Sequence, residues 1–324
     1  MDTVSIFCAI DDFCELFEPR WQQHLLAGTP KQRDRKPKLC LSEVLTIIVG
    51  FHLLGYRTFK GYYTQHVLPH QLHYFPRLVS YQRFVELMPG ALLPLCVLLT
   101  TRFGQCSGIS FIDSTKISVC RNRRIWSHKV FKALAKRGKT SVDWFYGFKL
   151  HLVVNDCGEL LASKITAGNV DDRNPVLELA RALSGKLFGD RGYISQKLFE
   201  QLWEQGVQLI TKLRKNMKNK LLPLFDKLLL RKRSLVETIN DQLKNISQIE
   251  HSRHRSPFNF FVNLIAGLVA YTFREKKNPP LISGSLRLFQ PWCCDSYVEL
   301  TLFTHHRLVL KDAINVLQAE FQAS

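Results

Sequence analysis

The sequence predicts an α/β fold, a mixed sheet flanked by helices, preceded by a helical N-terminal domain. Three observations predict it. Residues 1–100 carry apolar blocks at turn-like intervals, and from Gly108 apolar residues alternate with period two through three segments. Beyond residue 170, helical and strand patterns then take turns. With 324 residues the chain has room for two domains at roughly 100–200 residues each. Its 46% hydrophobic and 22% charged content excludes wholesale disorder.

In the first hundred residues Ser42 is placed to cap a helix through EVLTIIVGFHLL, which Gly55 ends. RTFKGYYTQHVL follows with almost no linker, and Ser80 opens YQRFVELM. Pro89-Gly90 breaks the pattern before ALLPLCVLLT. Short helices and tight turns suit a helix-turn-helix module, and suit any small bundle equally well.

GISFIDSTKISV alternates as a strand, with Ile109, Phe111, Asp113 and Thr115 on one face. In WFYGFKLHLVV, Trp144, Tyr146, Phe148, Leu150 and Leu152 share a face. The turn Asn155-Asp156-Cys157-Gly158 leads back into LLASKITAG, so a hairpin meander is expected. NPVLELARALSG reads as a helix with Pro175 in its first turn, and KLFGDRGY as a short strand ending at the Gly-flanked Asp190. SQKLFEQLWEQG is a helix stopped by Gly206, VQLITKL a strand, and SLVETINDQLKNISQIE a long amphipathic helix. Three strands followed by helix, strand, helix, strand and helix is the order of a ribonuclease H-like α/β fold.

Charge narrows the partner. Lys and Arg total 45 against 27 acids, a net of +18, which calls for a polyanion: nucleic acid or an acidic membrane surface. MDTVSIFCAIDDF has acids early and no basic stretch before an apolar run, so it is not a signal peptide. The apolar run Phe258–Tyr271 carries Asn259 and Asn263 and falls short of the ~20 residues a span requires; a core or interface helix is expected. Nine cysteines without a CxxC pair, two of them adjacent at Cys293-Cys294, support neither a zinc ribbon nor a disulfide framework. A cytoplasmic protein with reduced thiols and no membrane partner is the expectation.

Three carboxylates stand out. Asp113 lies mid-strand in an apolar stretch, where an unpaired carboxylate is costly and something positive must meet it. Asp190 sits at a strand end between Gly189 and Arg191-Gly192. Glu237 opens the polar face of the last helix, with Asp241 and Lys244 at helical spacing and Val236, Ile239, Leu243 and Ile246 opposite. A strand, a strand end and a helix can converge such oxygens on two hard divalent cations about 3.5–4 Å apart. Each acid also has a plain structural role open to it. Asp113 could pair with an arginine, Asp190 could hold a turn, and Glu237 could close a capping box with Ser234.

SFIDSTKISV, LFGDRGYIS and RSLVETINDQLK resemble the three blocks of a bacterial insertion-sequence DDE transposase. Arg233, Glu237 and Lys244 reproduce the R-x3-E-x6-K signature of the glutamate block; the tyrosine of the related pattern, three positions before Arg233, is Leu230 here. GFKLHLVVNDCGELLASKITAGNVDDRNPV and IEHSRHRSPFNFFVNLIAGLVAYTF are similar to the subgroup typified by insertion sequence nine-eighty-two. The likeness extends over about residues 1–280 and is strongest from 108 to 275. It implies Asp113, Asp190 and Glu237 as the catalytic, metal-binding triad, two Mg (or Mn) ions, and cleavage at element ends with strand transfer into target DNA. One ion would activate water or a DNA 3′-hydroxyl, and the other would stabilise the leaving oxygen. Lys244, two helical turns beyond Glu237, would hold a phosphate near the scissile bond, and Arg233 would clamp phosphate or shape the acidic site.

Basic residues flank the triad. Residues 116–149 hold ten Lys and Arg against Asp143 alone, including Arg121, Arg123, Arg124 and Lys129, the expected DNA contacts. Residues 212–233 hold nine against Asp226, and Lys31–Lys38 is a further phosphate contact or a solvated loop. Trp126, Trp144 and Phe145 could stack on an unpaired base, though such aromatics more often fill a core. Gly138-Lys139-Thr140 is not a P-loop, because Ala133 stands where the first glycine belongs. His251 and His254 beside arginines read as a phosphate-facing patch, and Asp171-Asp172 as a loop leading into a helix.

The expected division is a helical DNA-binding domain over 1–105, a ribonuclease H-like DDE catalytic domain with C-terminal helices over 106–275, and an extension over 276–324. Residues 281–324 carry a net charge of −1, leaving +19 on the rest, so the tail after Pro280 is a poor DNA contact. Expected partners are double-stranded DNA, as terminal inverted repeats and target, and a second copy of the chain in a homodimer. Two other functions remain open at this point: a non-catalytic DNA-binding protein from a decayed or repurposed element, and a nuclease that cuts without joining.

Overall fold

The computed structural model describes residues 2–26, 38–140, 143–212, 222–250 and 254–274. Of the expected features, the basic stretch Lys31–Lys38 up to Pro37, Arg214–Lys220, His251 and the extension with Cys293-Cys294 lie outside the described residues. The chain forms two compact units, one from Met1–Arg102 with Gln242–Arg274, the other from Phe103–Asp241.

The described part of the first unit is helical. α1 (Thr3–Leu26) buries Ile6, Ile10, Phe13, Cys14 and Phe17, an apolar stripe at helical spacing. α2 (Leu41–Leu53) starts just before the expected Ser42. The backbone N–H of Cys40 donates to the Glu43 carboxylate at 2.8 Å, which sets Cys40 as the cap and leaves Ser42 buried in the first turn. Gly55, at φ 71°, ends this segment as expected.

α3 (Phe59–Tyr62) and α4 (Leu68–His70) are joined by a π-helical turn, Tyr63–Val67. Ser80 caps α5 (Tyr81–Leu87), its hydroxyl accepting from the Arg83 N–H at 3.4 Å. A 3-10 turn at Met88–Ala91 connects it to α6 (Leu92–Thr101), whose first eight residues are all buried. Tyr81–Thr101 is long and apolar enough to cross a membrane by length and composition alone, yet 61% of its apolar 18-residue window is buried inside the protein.

The second unit is a mixed α/β structure around one six-stranded sheet. β1 (Ile109–Cys120) is followed by a 3-10 turn at Asn122–Arg124, then β2 (Lys136–Lys139), β3 (Trp144–Asn155) and β4 (Leu160–Ala167). β2 is absent from the sequence reading because four residues, KRGK, carry no alternation. The helix expected over NPVLELARALSG shrinks to α7 (Val176–Leu179), capped at Pro175. β5 (Gly185–Gly189), α8 (Gln196–Glu204) and β6 (Val207–Thr211) follow as anticipated. α9 (Leu224–Lys232) is a helix where the sequence shows mainly basic charge, and α10 (Ser234–Asp241) carries Glu237.

β1, β5 and β6 pair in parallel, while β3 is antiparallel to β1, β2 and β4. The even-numbered face of β1 meets α7 and α8 through Ile112, Val153, Leu179, Leu187, Leu198 and Leu202. The opposite face, with Asp113, meets α10. The two faces follow from the period of the strand.

The long helix expected over Ser234–Glu250 is α-helical only to Asp241. It passes into a π-helical turn, Gln242–Ile246, and breaks near Gln248, which has φ 53°. That stretch and α11 (Pro257–Phe273) belong to the helical unit, whereas the sequence division ran the sheet domain to 275. α11 packs on α2 and α6 as a buried core helix. His52 of α2, fully buried, has Nδ1 2.6 Å from the Ser247 carbonyl oxygen. Arg274 donates to the His52 carbonyl at 3.0 Å. These contacts span about two hundred residues, so no local pattern could announce them.

Candidate active site

β1 and β5 run parallel with Phe111 opposite Phe188. Two residues further along each chain come Asp113 and Asp190, at the same level of the sheet. Asp113 is still within its strand. Asp190 lies one step beyond its own, where its Oδ1 accepts from the Gly192 N–H at 2.8 Å and starts the 3-10 turn Arg191–Tyr193.

Glu237 comes from α10, on the Asp113 face of the sheet, and is half exposed. Arg233 joins the groups. Its guanidinium lies 3.5 Å from Asp113 Oδ1 and pairs with Glu237 Oε1 one helical turn on. Asn240 donates from Nδ2 to the other Asp113 oxygen, Oδ2, at 3.0 Å. Both oxygens of Asp113 are therefore engaged, one by a charge and one by an amide.

Burial pushes the Asp113 carboxyl up to about 6; Arg233 opposes this, while the negative charges of Asp190 and Glu237 add to it. Tyr193, buried beside Ser114, is raised by burial and then by the charges of Asp113, Asp172 and Asp190. The acids thus sense one another, as carboxylates gathered at one functional site do.

Two plain structural readings hold alongside: Asp113 does pair with an arginine, and Asp190 does hold a turn. Among the described residues, no three His, Cys, Asp or Glu side chains stand placed to chelate a metal ion. The donors nonetheless suit a hard divalent cation: carboxylate oxygens, mutual repulsion, and the buried Asn240 Oδ1, which has no hydrogen-bond partner among the described residues. Arg233 supplies the positive charge now shared by Asp113 and Glu237.

The other expected residues are distributed unevenly. Lys244 is in the π-helical turn rather than two α-turns past Glu237, and it pairs with Glu250 at 3.4 Å. Arg121, Arg123, Arg124 and Lys129 are all exposed, beyond the end of β1. Trp126 is 97% exposed among them, whereas Phe145 is core. Trp144, half exposed, has the Arg137 guanidinium 4.9 Å over its ring, and Asn122 donates to its carbonyl at 2.7 Å.

Asp171 pairs with Arg173 and Asp172 with Lys149, as expected of a structural loop. His254 packs edge-on to Phe260, so the phosphate-facing patch expected of it gives way to packing. Asn240 and Tyr193 were missed. A signal for Asn240 existed: with Val236, Ile239 and Leu243 it lies on the buried stripe of its helix, the one polar residue of those four.

A mid-strand carboxylate, another just past the end of the neighbouring strand, a glutamate on the helix over them and a guanidinium among them define a class of site. It is an acidic centre suited to hard cations and to the phosphates such cations bind. Residues 103–257 match the family model described as Transposase DDE domain, a span that holds all three acids. This supports a transposase function. No curated protein matches the chain.

Proposed function

We propose that this chain is a DNA transposase of the insertion-sequence type, of the subgroup typified by insertion sequence nine-eighty-two. It cuts phosphodiester bonds at element ends and joins them to target DNA. The observation that carries the reading is the placement of Asp113 and Asp190 at one level of β1 and β5, with Glu237 tied to Asp113 through Arg233. The strand order and the helices on both faces support a ribonuclease H-like catalytic fold.

Asp113, Asp190 and Glu237 would hold Mg (or Mn), two ions in all. Bound there, the ions supply an activated water or 3′-hydroxyl and stabilise the leaving oxygen. Arg233, which pairs with Asp113 and Glu237, would hold a phosphate beside them. The exposed Arg121, Arg123, Arg124 and Lys129 seat the duplex backbone, which positions DNA without reading its sequence. The helical unit would recognise the terminal repeats, and two copies would pair two ends. A non-catalytic role is not favoured by the match to a catalytic family.

The test uses the full chain with duplexes carrying the inverted repeats that flank its gene. Mg²⁺-dependent cleavage and joining should occur, and Asp113→Ala, Asp190→Ala and Glu237→Ala should each abolish both while leaving DNA binding largely intact. Cutting without joining would reassign the protein as a nuclease. Undiminished cleavage by any of the three variants would remove that residue from the site.

A further inference from the structure

We propose that Asn240 supplies a fourth oxygen, its Oδ1, to the cation site of Asp113, Asp190 and Glu237; the inference rests on the function proposed above. Asn240 follows Glu237 by three residues on α10 and is only 6% exposed. Its position belongs to the apolar stripe of Val236, Ile239 and Leu243, where leucine would pack at no polar cost.

Its amide is oriented by chemistry. Only the NH₂ end can face an ionised carboxylate, and Nδ2 stands 3.0 Å from Asp113 Oδ2. The carbonyl end of the same rigid amide is therefore held an amide's width from the Asp113 carboxylate. That oxygen is buried and has no hydrogen-bond partner among the described residues. An acceptor kept dry and unpaired costs free energy unless something positive meets it.

The acids alone leave room for it. No three carboxylates are placed to chelate an ion among the described residues, and Arg233 is drawn to Asp113 Oδ1. Hard divalent cations take six or more oxygens, and the asparagine carbonyl is an ordinary member of such sets. The oxygen serves the cation directly or through one of its waters. The amide hydrogen meanwhile fixes the rotation of Asp113.

The test is Mn²⁺ binding to the full chain without DNA, followed by loss of the free-ion signal in electron paramagnetic resonance. Thermal melts with and without Mn²⁺ give a second readout. Asn240→Leu, which removes both polar ends, should weaken binding about 10- to 100-fold and reduce the Mn²⁺-dependent rise in Tm. Asn240→Asp, which keeps an oxygen, should bind at least as tightly as the parent. Asn240→Ala replaces the leucine variant if that one melts without cooperativity.

Parental affinity in the leucine or alanine variant, or an aspartate variant as weak as leucine, would overturn the assignment. Asp113→Asn separates the two levels. If it binds Mn²⁺ like the parent, the acidic cluster is no metal site and the proposed function falls too. If it loses Mn²⁺ while Asn240→Leu does not, the role of Asn240 alone is refuted.

Discussion

The guanidinium of Arg233 lies 3.5 Å from the carboxylate of Asp113, which precedes it by 120 residues. The pair joins the middle of a strand to the start of a helix on the other side of a long chain excursion. It also explains how a buried strand can carry a carboxylate: the cost of desolvation is offset in part by a cation placed against it.

Asp113 should make the protein less stable above pH 6 than below pH 4. Its folded value, about 6, exceeds the 3.8 of an unperturbed aspartate, so the folded state holds the proton more tightly. Unfolding free energy then falls as pH rises through that window, by at most roughly 3 kcal/mol. Asp113→Asn should therefore be about 1–3 kcal/mol more stable than the parent at pH 7.5 without divalent ions, and equal to it near pH 4. Urea melts at the two pH values measure this; a constant difference would assign the effect to something other than Asp113 ionisation.

Arg233→Met should show the converse. With the guanidinium gone, Asp113 faces Asp190 and Glu237 uncompensated. A destabilisation of about 2–3 kcal/mol is expected at pH 8, shrinking toward pH 5 as Asp113 takes up its proton. Added Mg²⁺ should restore stability more in this variant than in the parent, since an ion replaces the missing charge. Equal Mg²⁺ responses in thermal melts would contradict that exchange.

The exposed arginines predict a salt effect. Replacing Arg121, Arg123 and Arg124 by Gln should weaken duplex binding and reduce the slope of log K against log salt by up to about 0.9 per lost phosphate contact. Fluorescence anisotropy titrations from 50 to 300 mM salt, roughly, would read it. An unchanged slope would mean that these side chains stay in solvent.

His52 acts in the opposite direction to Asp113. Burial pushes its imidazole down to about 4, so the folded helical unit holds it neutral. An unfolded histidine titrates near 6.5. As pH falls from 6.5 to 4, the unfolded state takes up the proton first, and stability declines by up to roughly 3 kcal/mol. His52→Gln should flatten that decline while losing some stability at pH 7, where the hydrogen bond to Ser247 is broken or weakened. A parental pH profile in this variant would locate acid lability elsewhere.

Much of this protein was legible along the chain. Alternation revealed β1, β3 and β4, the capping serine revealed α5, and glycines marked the ends after α2 and α8. Asp113 and Asp190 were conspicuous because a carboxylate within or at the end of an apolar strand breaks its own pattern. These signals are local: each depends on residues within a turn or a strand's length of one another.

Tertiary structure alone decided the rest. The Arg233 bridge and the Asn240 amide needed β1 and α10 to meet, because their partner Asp113 lies more than a hundred residues earlier in the chain. Gln242–Arg274 left the sheet for the helical unit because α11 is apolar on every side and must be enclosed by other helices. The same change of company placed Lys244 against Glu250, where an uninterrupted helix would have kept it in line with Glu237. Periodicity specifies which face of an element is apolar; it carries no information about which distant element will cover that face.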